Sequence, residues 1–267
     1  MTGVNNVAAI SQVFVEARLS GKRVDIYPGE MPQSMAAAYE IQDAAIALHP
    51  FEIGGWKVGR IPLDQVEKLG AERLAGPIFS HQIEHATKGG LVEMPVLPGF
   101  AAAEAEMLLR IGKQPLPFLD AATAHDYVDE VRFGLEIASS PYADINLGGA
   151  AVTVSDFGNN FGLVLGPEIT GWQHIDLMKA KVELFIDDKI VGTGRLADML
   201  DGPFGSVAFV NNLLNERGMT LKPGDWISTG AITGVHEIAV GQTAHASFDK
   251  TLTVGCKTIA YNKPQDG

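Results

Sequence analysis

Apolar residues recur at helical spacing early in the chain and give way to alternation with polar or small residues later. Val7 to Leu19 places Ile10, Val13, Phe14 and Ala17 on one helical face, with Gly21 as a stop. Ser34 suits the cap of a second helix, MAAAYEIQDAAIALH, which ends before Pro50. The turn-rich IYPGEMP joins the two. GGWKVGR, residues 54–60, sets Lys57 between Trp56 and Val58 with glycines on both sides, and predicts a short strand. An amphipathic stretch, PLDQVEKLGA, follows it.

From about residue 77 the texture is one of strands and turns. AAAEAEMLLRI has the propensity of a helix, but VEMPVLPGF before it and GKQPLP after it argue for a strand. TAHDYVDEV predicts a short helix capped near Thr123, and FGLEIAS a strand. VELFI and IVGTGR flank Asp187-Asp188-Lys189, a hairpin signal. Asp201 to Glu216 predicts a helix closing at Gly218, with Pro203 in its first turn. LKPGDWISTG enters another strand, and AVGQTAHASF and LTVGCKTIAY supply two more β-branched runs. The expected organisation is a helical N-terminal region, residues 1–76, and a β-rich region, residues 77–267.

Composition narrows the functional classes. At 46% hydrophobic and 19% charged, the 267 residues can bury a large core. Twenty Lys and Arg against 32 Asp and Glu leave a net charge of −12, which disfavours nucleic acid or an anionic membrane surface as partner. An anionic small substrate would need local cations. The single cysteine, Cys256, excludes an intramolecular disulfide and a cysteine-rich metal site. MTGVNNVAAISQ has neither a basic start nor a continuous apolar core, so no signal peptide and a cytoplasmic location are expected.

Three glutamates stand in otherwise apolar or small surroundings: Glu104 and Glu106 in AAAEAEMLL, and Glu136 in RFGLEIAS. No lysine or arginine lies within three residues of Glu104 or Glu106, so a divalent cation is the natural counter-charge. Oxygen-only ligation suits Mg²⁺ or Mn²⁺ better than zinc. On an extended strand Glu104 and Glu106 share a face, and Glu136 can complete a facial triad. On a helix the same glutamates would simply face water. Lys57 is either a desolvated proton-transfer group or a snorkelling edge-strand lysine. Thr229-Gly230, at a strand end, offers a hydroxyl and an N–H for a carboxylate, or is a plain turn. The seven histidines form no zinc motif, and GPEITG, GTGRLA and GGAAVT match no phosphate loop or dinucleotide fingerprint.

AAYEIQ, GWKVG, AEAEM, GLEIAS, VSDFGNNFGLVLG, VGTGR and STGAI occur in this order nearly end to end. In that ordered set the chain resembles the 2-keto-4-pentenoate hydratase and 4-oxalocrotonate decarboxylase group of the fumarylacetoacetate hydrolase superfamily. The resemblance implies an α+β fold, with a small helical N-terminal region packed on a C-terminal mixed β-roll. It implies Mg²⁺ or Mn²⁺ on Glu104, Glu106 and Glu136, proton transfer by Lys57, and a substrate carboxylate near Thr229 and Gly230. It also implies a small anionic 2-oxo acid substrate and a homo-oligomer. The expected activity is hydration of a 2-hydroxy-2,4-dienoate or its 2-oxo tautomer. Decarboxylation of a vinylogous 2-oxo diacid and a catalytically silent partner subunit are the alternatives. Where hydratases of the group carry an Asp-Asn-Ala-Ser type string, this chain has Asp156-Phe157-Gly158-Asn159-Asn160, which bears on the substrate.

Overall fold

The computed structural model describes residues 3–86 and 90–262. Among these the α-helices are α1 (Gly3–Ser20), α2 (Met35–Leu48), α3 (Leu63–Leu69), α4 (Ala150–Ser155) and α5 (Gly202–Glu216). The strands are β1 (Ile53–Arg60), β2 (Arg73–Phe79), β3 (Ile83–His85), β4 (Val92–Val96), β5 (Phe100–Ile111), β6 (Val128–Ser140) and β7 (Asn160–Glu168). They continue with β8 (Lys181–Ile186), β9 (Lys189–Arg195), β10 (Trp226–Ser228), β11 (His236–Glu237), β12 (Thr243–Phe248) and β13 (Leu252–Ala260). No helix among the described residues is long and apolar enough to cross a membrane.

The strands form two sheets. The larger runs β2-β1-β10-β5-β6-β7-β3, with β11 also on β5; the smaller runs β4-β13-β12-β8-β9. Side-chain alternation decides what each face does. Along β5, Ala103, Ala105, Met107, Leu109 and Ile111 enter the main core, as do Val131, Phe133, Leu135 and Ile137 of β6. They share it with Val182 and Leu184 of β8 and with Ala244, Ala246 and Phe248 of β12. The opposite face of the large sheet lies under α4 and the turn after it, with α1 and α2 beyond. Glu104, Glu106 and Glu136 point to that second face.

AAAEAEMLLRI is a strand, not a helix: β5 is paired with β6 along its whole length, and with β10 and β11 on its other edge. That pairing outweighs alanine propensity. The short helix expected in TAHDYVDEV is a single 3-10 turn at Ala124–Tyr127, after which Val128 opens β6. Its valines are drawn into the ladder opposite Ile111 and Leu109. In α1, Val13 is exposed and Val15 takes its place in the interior, because the buried stripe leans toward Ser11, Val15 and Arg18. The residue-76 division falls inside β2, and β1 lies next to β10 in the same sheet as the glutamates, so residues 53–79 are sheet as much as helix.

Other local readings hold. Ser34 Oγ accepts from Ala37 N at 3.2 Å and caps α2. Asp187 and Asp188, at φ 47 and 63, form the tight turn between β8 and β9.

A candidate metal centre beside a cationic cavity

Strand register builds the site. Glu104 pairs directly with Glu136 across β5 and β6, and Glu106 follows two residues on, opposite Gly134. Lys57 reaches the same face through the parallel β1–β10 register, Lys57 beside Ser228, and the antiparallel β10–β5 register, Ser228 beside Leu108. Trp56 and Val58, its chain neighbours, point into the main core instead. The carboxylates of Glu104, Glu106 and Glu136 offer oxygens within 4.8 Å of one another, and all three side chains are buried.

Two of the three carboxylates, Glu106 and Glu136, are held through one oxygen and left incomplete at the other. Glu106 Oε2 accepts from Ser228 Oγ at 2.5 Å and from Gly230 N at 2.9 Å. Glu136 Oε1 accepts from Asn160 Nδ2 at 3.0 Å and lies 3.3 Å from Lys57 Nζ. Glu106 Oε1 and Glu136 Oε2 are buried with no partner among the described residues. Buried oxygens without donors are costly. Burial pushes the Glu104 carboxyl up to about 7, with Lys57 opposing and Glu136 adding to the rise. The Glu106 carboxyl is pushed well above its usual range by burial and then by Glu136 and Glu104. Three carboxylates and one ammonium carry a formal charge of −2, which a divalent cation cancels. The donor set is oxygen only, as Mg²⁺, Mn²⁺ or Ca²⁺ prefers, so these residues fit such an ion.

Lys57 is buried on an interior strand, the desolvated reading and not the snorkelling edge-strand one, yet desolvation does not decide its charge. Burial does favour the neutral amine, but Glu136, Glu104 and Glu106 outweigh it, and the net shift is upward. Among these four groups the glutamates therefore favour the charged form of Lys57. Thr229 and Gly230 line the adjoining cavity, yet their donors are already used. Thr229 Oγ1 donates to the Met107 carbonyl at 2.9 Å, and the Gly230 N–H fixes Glu106.

Several residues were silent in the sequence. Arg18 of α1 is buried, with Nε 2.5 Å from Asp156 Oδ1, Nη1 donating to Asn160 O at 2.7 Å and Nη2 to Ser139 O at 3.1 Å. It braces a turn in which Phe157, Gly158 and Asn159 all have positive φ, at 55, 63 and 55. That turn lies on the site: a Cβ on Gly76, the β2 partner of Lys57, would sit 2.0 Å from the Phe157 carbonyl oxygen. Only the resemblance drew attention to this segment. Ser228 and Asn160 entered the sequence reading only inside longer strings, among them the STGAI and Asp156–Asn160 strings of the resemblance, with no role attached to either.

A cavity of about 400 Å³ opens beside the centre, lined by Lys57 and Glu104 together with Arg60, Arg73, Arg195 and Asp198 among others.

Residues 71–260 match the family described as fumarylacetoacetate (FAA) hydrolase C-terminal. A 4-oxalocrotonate decarboxylase from Pseudomonas putida is 27% identical over 265 residues, covering 95% of this chain and 97% of its own. Among solved structures, 4-oxalocrotonate decarboxylase from Pseudomonas putida G7 complexed with magnesium and adipate is similar with a TM-score of 0.79 at 21% identity, covering 96% of this chain and 98% of that one. Fumarylpyruvate hydrolase from Pseudomonas aeruginosa, in complex with Mn²⁺ and pyruvate, is similar with a TM-score of 0.61 at 16% identity, covering 79% of this chain and 91% of that one. The shared fold is mixed, with few helices and curled mixed sheets.

Proposed function

The chain belongs to the fumarylacetoacetate hydrolase C-terminal family, and on that basis we propose that it is a divalent-metal-dependent decarboxylase of a vinylogous 2-oxo diacid. The observation that carries the reaction class is the buried triad of Glu104, Glu106 and Glu136 with Lys57 at its edge, open to a cavity. The choice of decarboxylation over hydration is supported by the near end-to-end relative from Pseudomonas putida. The cationic cavity wall also suits a substrate with two carboxylates. Water addition to a dienoate, the first expectation from the sequence, has less support on both counts.

When bound between the three carboxylates, a divalent ion supplies charge balance and Lewis-acid polarisation of a 2-oxo group. In 2-oxohex-3-enedioate, the simplest such diacid, the bond that breaks joins C5 to the C6 carboxylate. Its electron pair becomes the C4=C5 π bond, the C3=C4 pair shifts to C2=C3, and the C2 oxygen takes the charge as CO₂ departs. Lys57 lines the cavity beside Glu136 and is placed to donate a proton to that oxygen, leaving a 2-hydroxy-2,4-dienoate. Ser228 and Gly230 keep Glu106 turned inward, and Asn160 does the same for Glu136.

The test is incubation of the Mn²⁺- or Mg²⁺-loaded protein with 2-oxohex-3-enedioate, following CO₂ release, and separately with the dienoate, following water addition. CO₂ release that stops on chelation is expected. Water addition without CO₂ release would overturn the decarboxylase reading, and neither reaction would remove both.

A further inference from the structure

The cavity beside the triad reverses the charge of the molecule. Four of the chain's 20 Lys and Arg line it, Lys57, Arg60, Arg73 and Arg195, against two of the 32 acidic residues, Glu104 and Asp198. Two of these cations are already engaged. Lys57 pairs with Glu136, and Arg73 donates to the Leu200 carbonyl and lies 3.2 Å from Asp201 Oδ2. Arg60 and Arg195 are exposed at the cavity wall and have no ion-pair partner among the described residues.

The two approach one segment from different sheets. Arg60 ends β1, three residues beyond Lys57 and so roughly 10 Å along the strand. The β1 backbone abuts Gly230, where a Cβ would stand 3.4 Å from the Val58 carbonyl oxygen. Arg195 ends β9, whose Gly194 runs so close to the next loop that a Cβ there would stand 1.9 Å from the Ile232 carbonyl oxygen. Arg60 and Arg195 thus flank residues 230–232 while Lys57 and Glu104 mark the chemical end of the same cavity. A guanidinium fork matches a carboxylate, and an unpaired one on an acidic protein is the natural receptor for an anion.

We propose that Arg60 and Arg195 form the subsite for the second carboxylate of the substrate and thereby select six-carbon 2-oxo diacids over 2-oxo monoacids. This rests on the diacid reading above and assigns its specificity to two residues. Both guanidinium groups are solvated, so they act on capture of the diacid and not on bond breaking.

Two unreactive ligands that differ only in the second carboxylate, 2-oxoadipate and 2-oxohexanoate, isolate the effect in calorimetric titrations of the Mn²⁺-loaded protein. The unmodified protein binds 2-oxoadipate about tenfold tighter, the lower range for a charged hydrogen bond at an exposed site. Arg60→Gln and Arg195→Gln each reduce that margin, and the double variant abolishes it while 2-oxohexanoate affinity stays unchanged. Equal binding of the two ligands by the unmodified protein, or a margin retained in the double variant, overturns the subsite. The outcome separates from that of the reaction: a diacid preference lost in the variants supports the subsite even if no CO₂ is released, and CO₂ release with an unchanged margin leaves the reaction standing without it.

Discussion

Glu104 and Glu136 face each other across two paired strands, with Glu106 on the same face, and one lysine is shared among the three. Like charges at this range in a dry interior repel, so in the absence of a cation protons take part of its place. The Glu104 carboxyl, raised to about 7 by burial, and the Glu106 carboxyl, pushed well above its usual range by burial and by Glu136 and Glu104, are the groups that hold them. An entering ion displaces these protons. Below about pH 7 the protonated Glu104 competes with the ion, and the raised Glu106 carboxyl adds to the competition, so Mn²⁺ affinity falls as pH falls. The apparent dissociation constant should rise about tenfold per pH unit for each proton displaced. Calorimetry between pH 6 and 8 in buffers of different ionisation enthalpy checks this through the proton release on binding. A pH-independent affinity without proton release would mean the carboxyls are ionised before the ion arrives. The types of these residues were legible in the sequence: acids in apolar runs imply a counter-ion. Their handling was not. Lys57 reads locally as a desolvated amine because Trp56 and Val58 flank it, yet its charge is set by glutamates 47 or more positions away.

At the scale of elements, the alternation along β5 places glutamates on one face and Met107 and Leu109 on the other, and that period was readable. Partner and register were not. Nothing local in FGLEIAS says that Glu136 lands opposite Glu104, or that Lys57 arrives through the short β10. The same long-range pairing turned TAHDYVDEV from an expected helix into a 3-10 turn and the start of β6. The turn from Asp156 to Asn160 is the element whose conformation was least visible, since its left-handed residues are stabilised by Arg18 from α1, 138 positions away from Asp156. It also depends on Gly76, where any side chain would strike the Phe157 carbonyl. Gly76→Ala should therefore destabilise the protein by about 3 kcal/mol, read as a lower denaturation midpoint at unchanged slope. It should also weaken Mn²⁺ binding, because the displaced turn carries Asn160 away from Glu136. An alanine variant with native stability and native Mn²⁺ affinity would show that the turn does not support the site.

For the whole molecule, an acidic chain surrounds one cavity with arginines and ends it at a cluster of glutamates. Helices α1 and α2 are not a separate cap: Arg18 bonds the loop that carries Asn160, and Gln42 donates to the Ala75 carbonyl beside Gly76. The order of motifs made the overall α+β layout legible, whereas the residue-76 division did not anticipate β1 and β2 running in the glutamate sheet. Fold, cavity and charge all converge on one position between Glu104, Glu106 and Glu136. Anomalous diffraction at the manganese edge from Mn²⁺-soaked crystals locates the ion without reference to activity. The expected map has one strong peak about 2.1 Å from an oxygen of each of the three glutamates, the distance range of octahedral Mg²⁺-type sites. A peak seated elsewhere, or none at the triad at saturating Mn²⁺, would contradict it.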